Sequence, residues 1–192
     1  MAQKGSPQTG GMEPKRATVV SLELLLDPGT EARIRAQWQG LADAGLSSLA
    51  AHTAPSNRPH VTLVVRPALP QPTRVELAAA VALPLALELG GPVLFGAGDR
   101  RVLALSVIPS ARLLGLHAAL HTIVGEGADA PHTRPGEWTP HITLARRLRL
   151  DDLPQALRIL DAVHEPLPAA RTEATTLRRW DAASATVTDL VG

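Results

Sequence analysis

The feature that most constrains this chain is a short frame written twice. "RPHVTLVVR" runs from Arg58 to Arg66 and "TPHITLARR" from Thr139 to Arg147, each containing Pro-His-x-Thr-Leu. Alternate side chains of a strand share a face. His60, Thr62 and Val64 therefore point one way and Val61, Leu63 and Val65 the other, while His141, Thr143 and Ala145 oppose Ile142 and Leu144. The apolar set anchors each strand on a core and leaves an imidazole and a hydroxyl displayed on the far face. Two such strands brought side by side place two histidines and two threonines around one cleft.

The flanking segments repeat in the same order. "ATVVSLELLL" (17–26) reads as a strand closed by the turn signal Asp27-Pro28-Gly29, and Thr30 as the N-cap of a helix reaching about Ala50. After "HVTLVV", a short helix capped at Thr73 leads to "LALEL" and "RVLALSVI", two strands around the turn-rich "GGPVLFGAGDR". The second half has a helix capped at Ser110, the loop "GEGADAPHTRPGEW", the strand "HITLARRL", the helix "DDLPQALRIL" and the closing strands "AARTEATTLRRW" and "ATVTDLV". The expected architecture is two pseudo-symmetric lobes, not two independent domains.

Composition narrows the functional classes. With 192 residues, of which 45% are hydrophobic, the chain can bury a full core. A formal net charge of +1 gives no global basic field for nucleic acid, although a local patch can still act. The absence of cysteine removes disulfides, thiolate metal sites and cysteine nucleophiles, and agrees with a reducing compartment. Residues 1–16 hold no apolar run and read as a disordered leader ahead of a unit spanning 17–192. No long uncharged apolar stretch follows, so the expectation is a cytoplasmic protein without a membrane span, acting as a monomer.

Two histidines titrating near neutrality can serve as general base and general acid on opposite sides of one reacting centre. Phosphodiester cleavage has that need, with hydroxyls and an arginine holding the nonbridging oxygens. It requires no metal and no cofactor. A single His-x-Thr occurs by chance in roughly a fifth to a third of chains this long. Two copies, each inside the same five-residue frame and at matching points of similar halves, are not a chance pattern.

These residues resemble the 2H phosphoesterases, and among them the 2′-5′ RNA ligase group, also described as RNA 2′,3′-cyclic phosphodiesterases. "WTPHITLARR" is the closer match, with an arginine two residues after the leucine. The resemblance covers residues 17–190. It implies an α+β fold of two lobes, each an antiparallel sheet with outer helices, and a catalytic cleft between them. It implies metal-independent opening of a 2′,3′-cyclic phosphate to a 2′-phosphate, on RNA 3′ ends or small cyclic nucleotides, with reverse 2′-5′ ligation as a companion reaction. Carried over by motif position, His60 and His141 are the acid–base pair, Thr62 and Thr143 hold the phosphate, and Arg146 is the second-motif arginine. Strict alternation puts Arg147 on the catalytic face instead, so use of Arg146 implies a bulge or twist near the strand end.

With no tyrosine and a single phenylalanine, Phe95, stacking surfaces are scarce, and Trp138 is the aromatic candidate beside a motif. His117 and His121, four apart on one helix, read as a solvated or half-buried face in preference to a metal pair. His52, His132 and His164 read as surface residues. Arg100-Arg101, Arg146-Arg147 and Arg178-Arg179 are candidates for a basic rim. Two other classes compete with the enzyme: a non-catalytic module binding RNA ends or nucleotides, which needs no matched imidazoles, and a histidine-based metal hydrolase, which needs ligands the spacing does not supply.

Overall fold

A computed structural model describes residues 19–163 and 170–192. The leader expected at 1–16 and His164 lie outside these residues. Strands β1 (Val20–Leu26), β2 (His60–Arg66), β3 (Leu85–Phe95), β4 (Arg100–Val107), β5 (His141–Arg149), β6 (Ala170–Asp181) and β7 (Thr186–Val191) alternate with helices α1 (Pro28–Asp43), α2 (Arg74–Ala80), α3 (Ala111–Val124) and α4 (Leu153–Val163). No helix among the described residues is long and apolar enough to cross a membrane.

The seven strands form one antiparallel sheet in the order β2-β1-β6-β3-β4-β5, with β7 also on β6. The α+β class and the antiparallel pairing are as the sequence predicts. The two expected sheets are, however, wings of a single one, because β6 is long enough to serve both. Its later residues pair with β1 and β7, and its first residues pair with β3; Ala174 faces both Leu26 and Leu85. β2 and β5 stand at opposite ends of the order yet touch each other, so the sheet curls until the two motif strands are neighbours.

The helices cross over between wings. α1, which follows β1, lies against β5, and α3, which follows β4, lies against β2. Leu22, Leu24, Ile34, Leu41, Val61, Leu63, Leu113, Leu120, Ile142 and Leu144 fill the space between sheet and helices and are at most 2% exposed. Each contributes about 1.5–3 kcal/mol of apolar burial.

Local chemistry sets the element ends. Thr73 and Glu76 form a reciprocal capping box on α2, and the Ser110 hydroxyl caps α3 through Leu113 N–H, both at the predicted positions. α1 differs from its prediction at both ends. Asp27, not Thr30, is its N-cap, accepting from Thr30 N–H at 2.9 Å, with Pro28 in the first turn where its missing N–H costs nothing. The helix stops at Asp43, and Gly45 at φ 73° turns the chain away before Ala50 is reached. The Gly90-Gly91-Pro92 stretch, expected as a turn, lies within β3, where pairing shifts between Leu89 and Pro92. A Cβ on Gly90 would collide with the Ser106 hydroxyl, so glycine permits the close approach.

Candidate active site

Both motif strands carry a bulge at the same step. In β2 the pairing with β1 skips Leu63, since Leu22 faces Val64 and Glu23 faces Thr62. In β5 the pairing with β4 skips Leu144, since Leu103 faces Ala145 and Ala104 faces Thr143. Leu63 and Val64 are consequently both buried, as are Leu144 and Ala145. Strict alternation placed Val64 and Ala145 on the histidine face; the bulge turns both into the core. It also brings Arg146 back to the cleft side, and a second shift of the pairing, between Arg101 and Leu103, falls where Arg147 is left-handed at φ 60°. Arg146 lines the cleft and Arg147 does not. The place that Arg146 holds in the second motif is taken by Val65 in the first.

The cleft between β2 and β5 is a cavity of about 500 Å³ lined by His60, Thr62, His141, Thr143 and Arg146 from the two motifs, with Phe95, Val102, His132, Glu137 and Thr139 around them. The structure therefore brings five of the seven predicted site residues together. Arg147 stays outside it. Trp138 does not line it either: its ring stacks flat on His117, 4.0 Å between centroids and 4° from parallel, and its N–H donates to the Thr62 carbonyl at 3.0 Å. The aromatic ring at the cavity is Phe95.

Each histidine is held in the same way. Nδ1 of His60 lies 2.6 Å from the carbonyl of Arg58, and Nδ1 of His141 lies 2.7 Å from the carbonyl of Thr139. A carbonyl can only accept, so Nδ1 carries the hydrogen in both rings and Nε2 is left to exchange a proton. The intervening prolines, Pro59 and Pro140, have a fixed φ that helps set the preceding carbonyl beside the ring. That is the physical reason for proline in the repeated frame.

The surroundings of the two rings differ. His141 packs on Phe95, with 4.6 Å between centroids. Burial holds its pKa below the ordinary imidazole value, and the nearby His132 and His60 push the same way against the Thr139 carbonyl. His60 instead has a carboxylate beside it, Glu23 Oε1, at 3.7 Å from Nε2. A second cavity of about 300 Å³ adjoins the first, shares His60 and Arg146 with it, and is walled by Glu23, His52, Arg178 and Trp180.

Several expectations change. His117 and His121, read as a solvated or half-buried face, are buried, at 3% and 9% exposed. His117 stacks on Trp138 and reaches the Thr133 carbonyl, while His121 stands 3.6 Å from Asp129, itself paired with Arg66. Arg178 is no rim residue but a buried partner of Glu23, and Arg179 pairs with Asp181. His52 and His132 are exposed, as the sequence reading has them, and they also line the cavities. Glu23 was missed, although a lone charge inside "SLELLL" is a signal of a paired carboxylate. Among the described residues, no group of three or more His, Asp or Glu side chains comes together to hold a metal ion.

The profile of the 2′-5′ RNA ligase superfamily matches residues 30–186. No curated protein matches the sequence. Among solved structures, that of Kluyveromyces marxianus Usb1 is similar at 14% identity and a TM-score of 0.51, over 93% of this chain and 100% of that one. The structure of Kluyveromyces marxianus Usb1 with uridine monophosphate is similar at 15% identity and a TM-score of 0.50, over 92% and 99% of the respective chains. At these identities the likeness is one of fold.

Proposed function

This chain belongs to the 2′-5′ RNA ligase superfamily, and on that premise we propose that it opens 2′,3′-cyclic phosphates, on RNA 3′ ends or small nucleotides, by two-histidine acid–base catalysis. One imidazole takes a proton from water as the water oxygen attacks phosphorus. The P–O3′ bond breaks, and the other imidazole gives a proton to the departing O3′. The products are a 2′-phosphomonoester and a free 3′-hydroxyl. Thr62 and Thr143 donate to the nonbridging oxygens, and Arg146 offsets their charge.

The observation that carries the reading is the matched pair of rings: each histidine has its Nδ1 committed to the carbonyl two residues earlier, and both line one cavity with both threonines and Arg146. Binding alone would need the hydroxyls and the arginine but not two imidazoles in the same tautomer. The scheme calls for no metal, since the imidazoles supply both proton transfers. The likeness to a Usb1 structure holding uridine monophosphate supports a nucleotide in the cleft.

The test is hydrolysis of nucleoside 2′,3′-cyclic phosphates, and of an oligoribonucleotide ending in one, with and without EDTA. Turnover insensitive to EDTA is expected on at least one substrate. Turnover lost in EDTA and restored by zinc or manganese would overturn the reading.

A further inference from the structure

The proposed reaction needs one imidazole charged while the other is neutral. Yet the Pro-His-x-Thr-Leu frame is the same in both motifs, so the asymmetry has to come from outside that frame. The sheet register locates it. Thr62 on β2 faces Glu23 on β1, and Thr143 on β5 faces Ala104 on β4. The same place in the two wings holds a carboxylate in one and a methyl group in the other.

Glu23 is fixed from several sides and is 4% exposed. Its Oε2 accepts from Arg178 Nε at 2.8 Å and lies 2.7 Å from Arg178 Nη2. Oε1 accepts from the Ser21 hydroxyl at 2.6 Å and faces Nε2 of His60 at 3.7 Å. Arg178 is 3% exposed and also donates to the Ser56 carbonyl, so the pair is clamped to the chain just before the first motif. In this order the guanidinium lies behind the carboxylate and the imidazole in front of it. At such burial the attraction across 3.7 Å is several times its value in water.

The other ionisable groups around His60 are Arg146 and His141 from β5, His132 and Glu137 from the loop before β5, and His52 from the loop before β2. Arg58, two residues away, spends its guanidinium on Glu31. Among these described neighbours, Glu23 is the buried carboxylate and the one paired with the ring.

We infer that Glu23, held by Arg178 and Ser21, is a positioning residue that keeps the proton on Nε2 of His60, which makes His60 the acid and His141 the base. The inference rests on the proposed reading of the cleft. Burial works to raise the Glu23 carboxyl, but His60, Arg178 and Ser21 bring it below its ordinary value, so the charge is present. His141, against Phe95, is biased toward the neutral form that a base requires. In turnover His141 Nε2 gains the proton of water and His60 Nε2 loses its own to O3′; exchange with solvent resets both.

The experiment compares wild type, Glu23→Gln and the double variant Glu23→Gln with Arg178→Met, which removes the buried pair without stranding a guanidinium. Two readouts are taken: kcat/KM against pH on a nucleoside 2′,3′-cyclic phosphate, and the NMR titration of the histidine ring protons, with His60 assigned from His60→Ala. The descending limb of the pH profile is expected to move down by about 1 pH unit or more, with the ascending limb in place. In the spectra the largest shift of titration should be that of His60. A uniform loss of rate with both limbs fixed would make Glu23 merely structural, and movement of the ascending limb would reverse the roles. Should wild type show no turnover, the reaction is wrong, and the NMR titration still decides whether Glu23 governs the His60 proton.

Discussion

The indole N–H of Trp138 donates to the carbonyl oxygen of Thr62 at 3.0 Å, so a residue leading into the second motif holds the strand of the first. The reciprocal bond runs from Trp38, on the helix between β1 and β2, to the carbonyl of Thr143 at 3.1 Å. Both tie a motif strand at its threonine, one residue before the bulge step. The two wings thus fix each other's motif face.

Trp138→Phe keeps the ring on His117 but deletes the donor, leaving the Thr62 carbonyl without it. A loss of about 1–3 kcal/mol is expected in a urea titration. Because the bond positions Thr62, kcat should fall more than KM rises. A variant with lowered stability and unchanged kcat would show that the bond serves the fold alone.

Arg146 and Arg147 are to be separated by single alanine variants. Arg146 lines the cavity, so Arg146→Ala should lower kcat/KM by roughly ten- to a thousandfold. Arg147→Ala should leave kinetics unchanged. Arg147→Gly, which suits φ 60°, should also keep activity. Equal losses at both positions would mean that both side chains reach the phosphate.

Phe95, rather than Trp138, is the aromatic surface at the cavity. Phe95→Leu is expected to raise KM for an oligoribonucleotide with a cyclic end while kcat changes little, the signature of lost uniform binding. If affinity for that substrate weakens with salt and affinity for a cyclic mononucleotide does not, upstream phosphates are being held. Identical KM values for wild type and Phe95→Leu would remove this ring from substrate binding.

Acidification should destabilise the fold in two stages. Burial holds His117 below the ordinary imidazole range, with His121 pushing the same way, so the folded chain binds that proton more weakly than the unfolded one. The stabilisation is present above the unfolded value near 6.5 and is lost as pH falls through the lower folded value. Asp27 follows at lower pH. Burial opposes its ionisation, but the Thr172 hydroxyl, Thr30 and the Glu173 amide bring it to about 2. Its contribution is present above about pH 4 and is lost as pH falls through about 2. Asp27→Ala should cost about 0.5–2 kcal/mol at neutral pH and flatten the acid end of a stability profile. A profile unchanged by that substitution would contradict the assignment.

Much of this was legible in the chain, and the rest fails for definable reasons. Period-two alternation puts His60 with Thr62 and His141 with Thr143 without any structure. The same rule misplaces Val64 and Ala145, because a bulge adds one residue and reverses the side chains after it, and it misplaces Arg147, where a second shift in the β4–β5 pairing returns Leu148 to the core. The clue available was an apolar pair after each threonine, Leu63-Val64 and Leu144-Ala145, which breaks alternation in both copies. Glu23 was visible as a charge in an apolar strand, but Arg178 reaches it only through the β1–β6 pairing, which local sequence does not specify. His117 and His121 look solvated or half-buried by spacing alone. Trp138, Thr133 and Asp129, from the following loop, cover them and give them partners.

The central claim, that His60 and His141 act as a coupled acid and base, is tested most directly by kcat/KM against pH on a 2′,3′-cyclic phosphate, for wild type and for each histidine-to-alanine variant. Wild type should give a bell, because one ring must be neutral and the other protonated, and its limbs belong to the pair. Burial of His141, with His132 and His60 pushing the same way, biases the pair toward an ascending limb below the ordinary imidazole value. Each alanine variant should lose about two to four powers of ten while remaining folded. A wild-type rate climbing steadily into alkaline pH, or a His60→Ala or His141→Ala variant with near-normal turnover, would contradict the account.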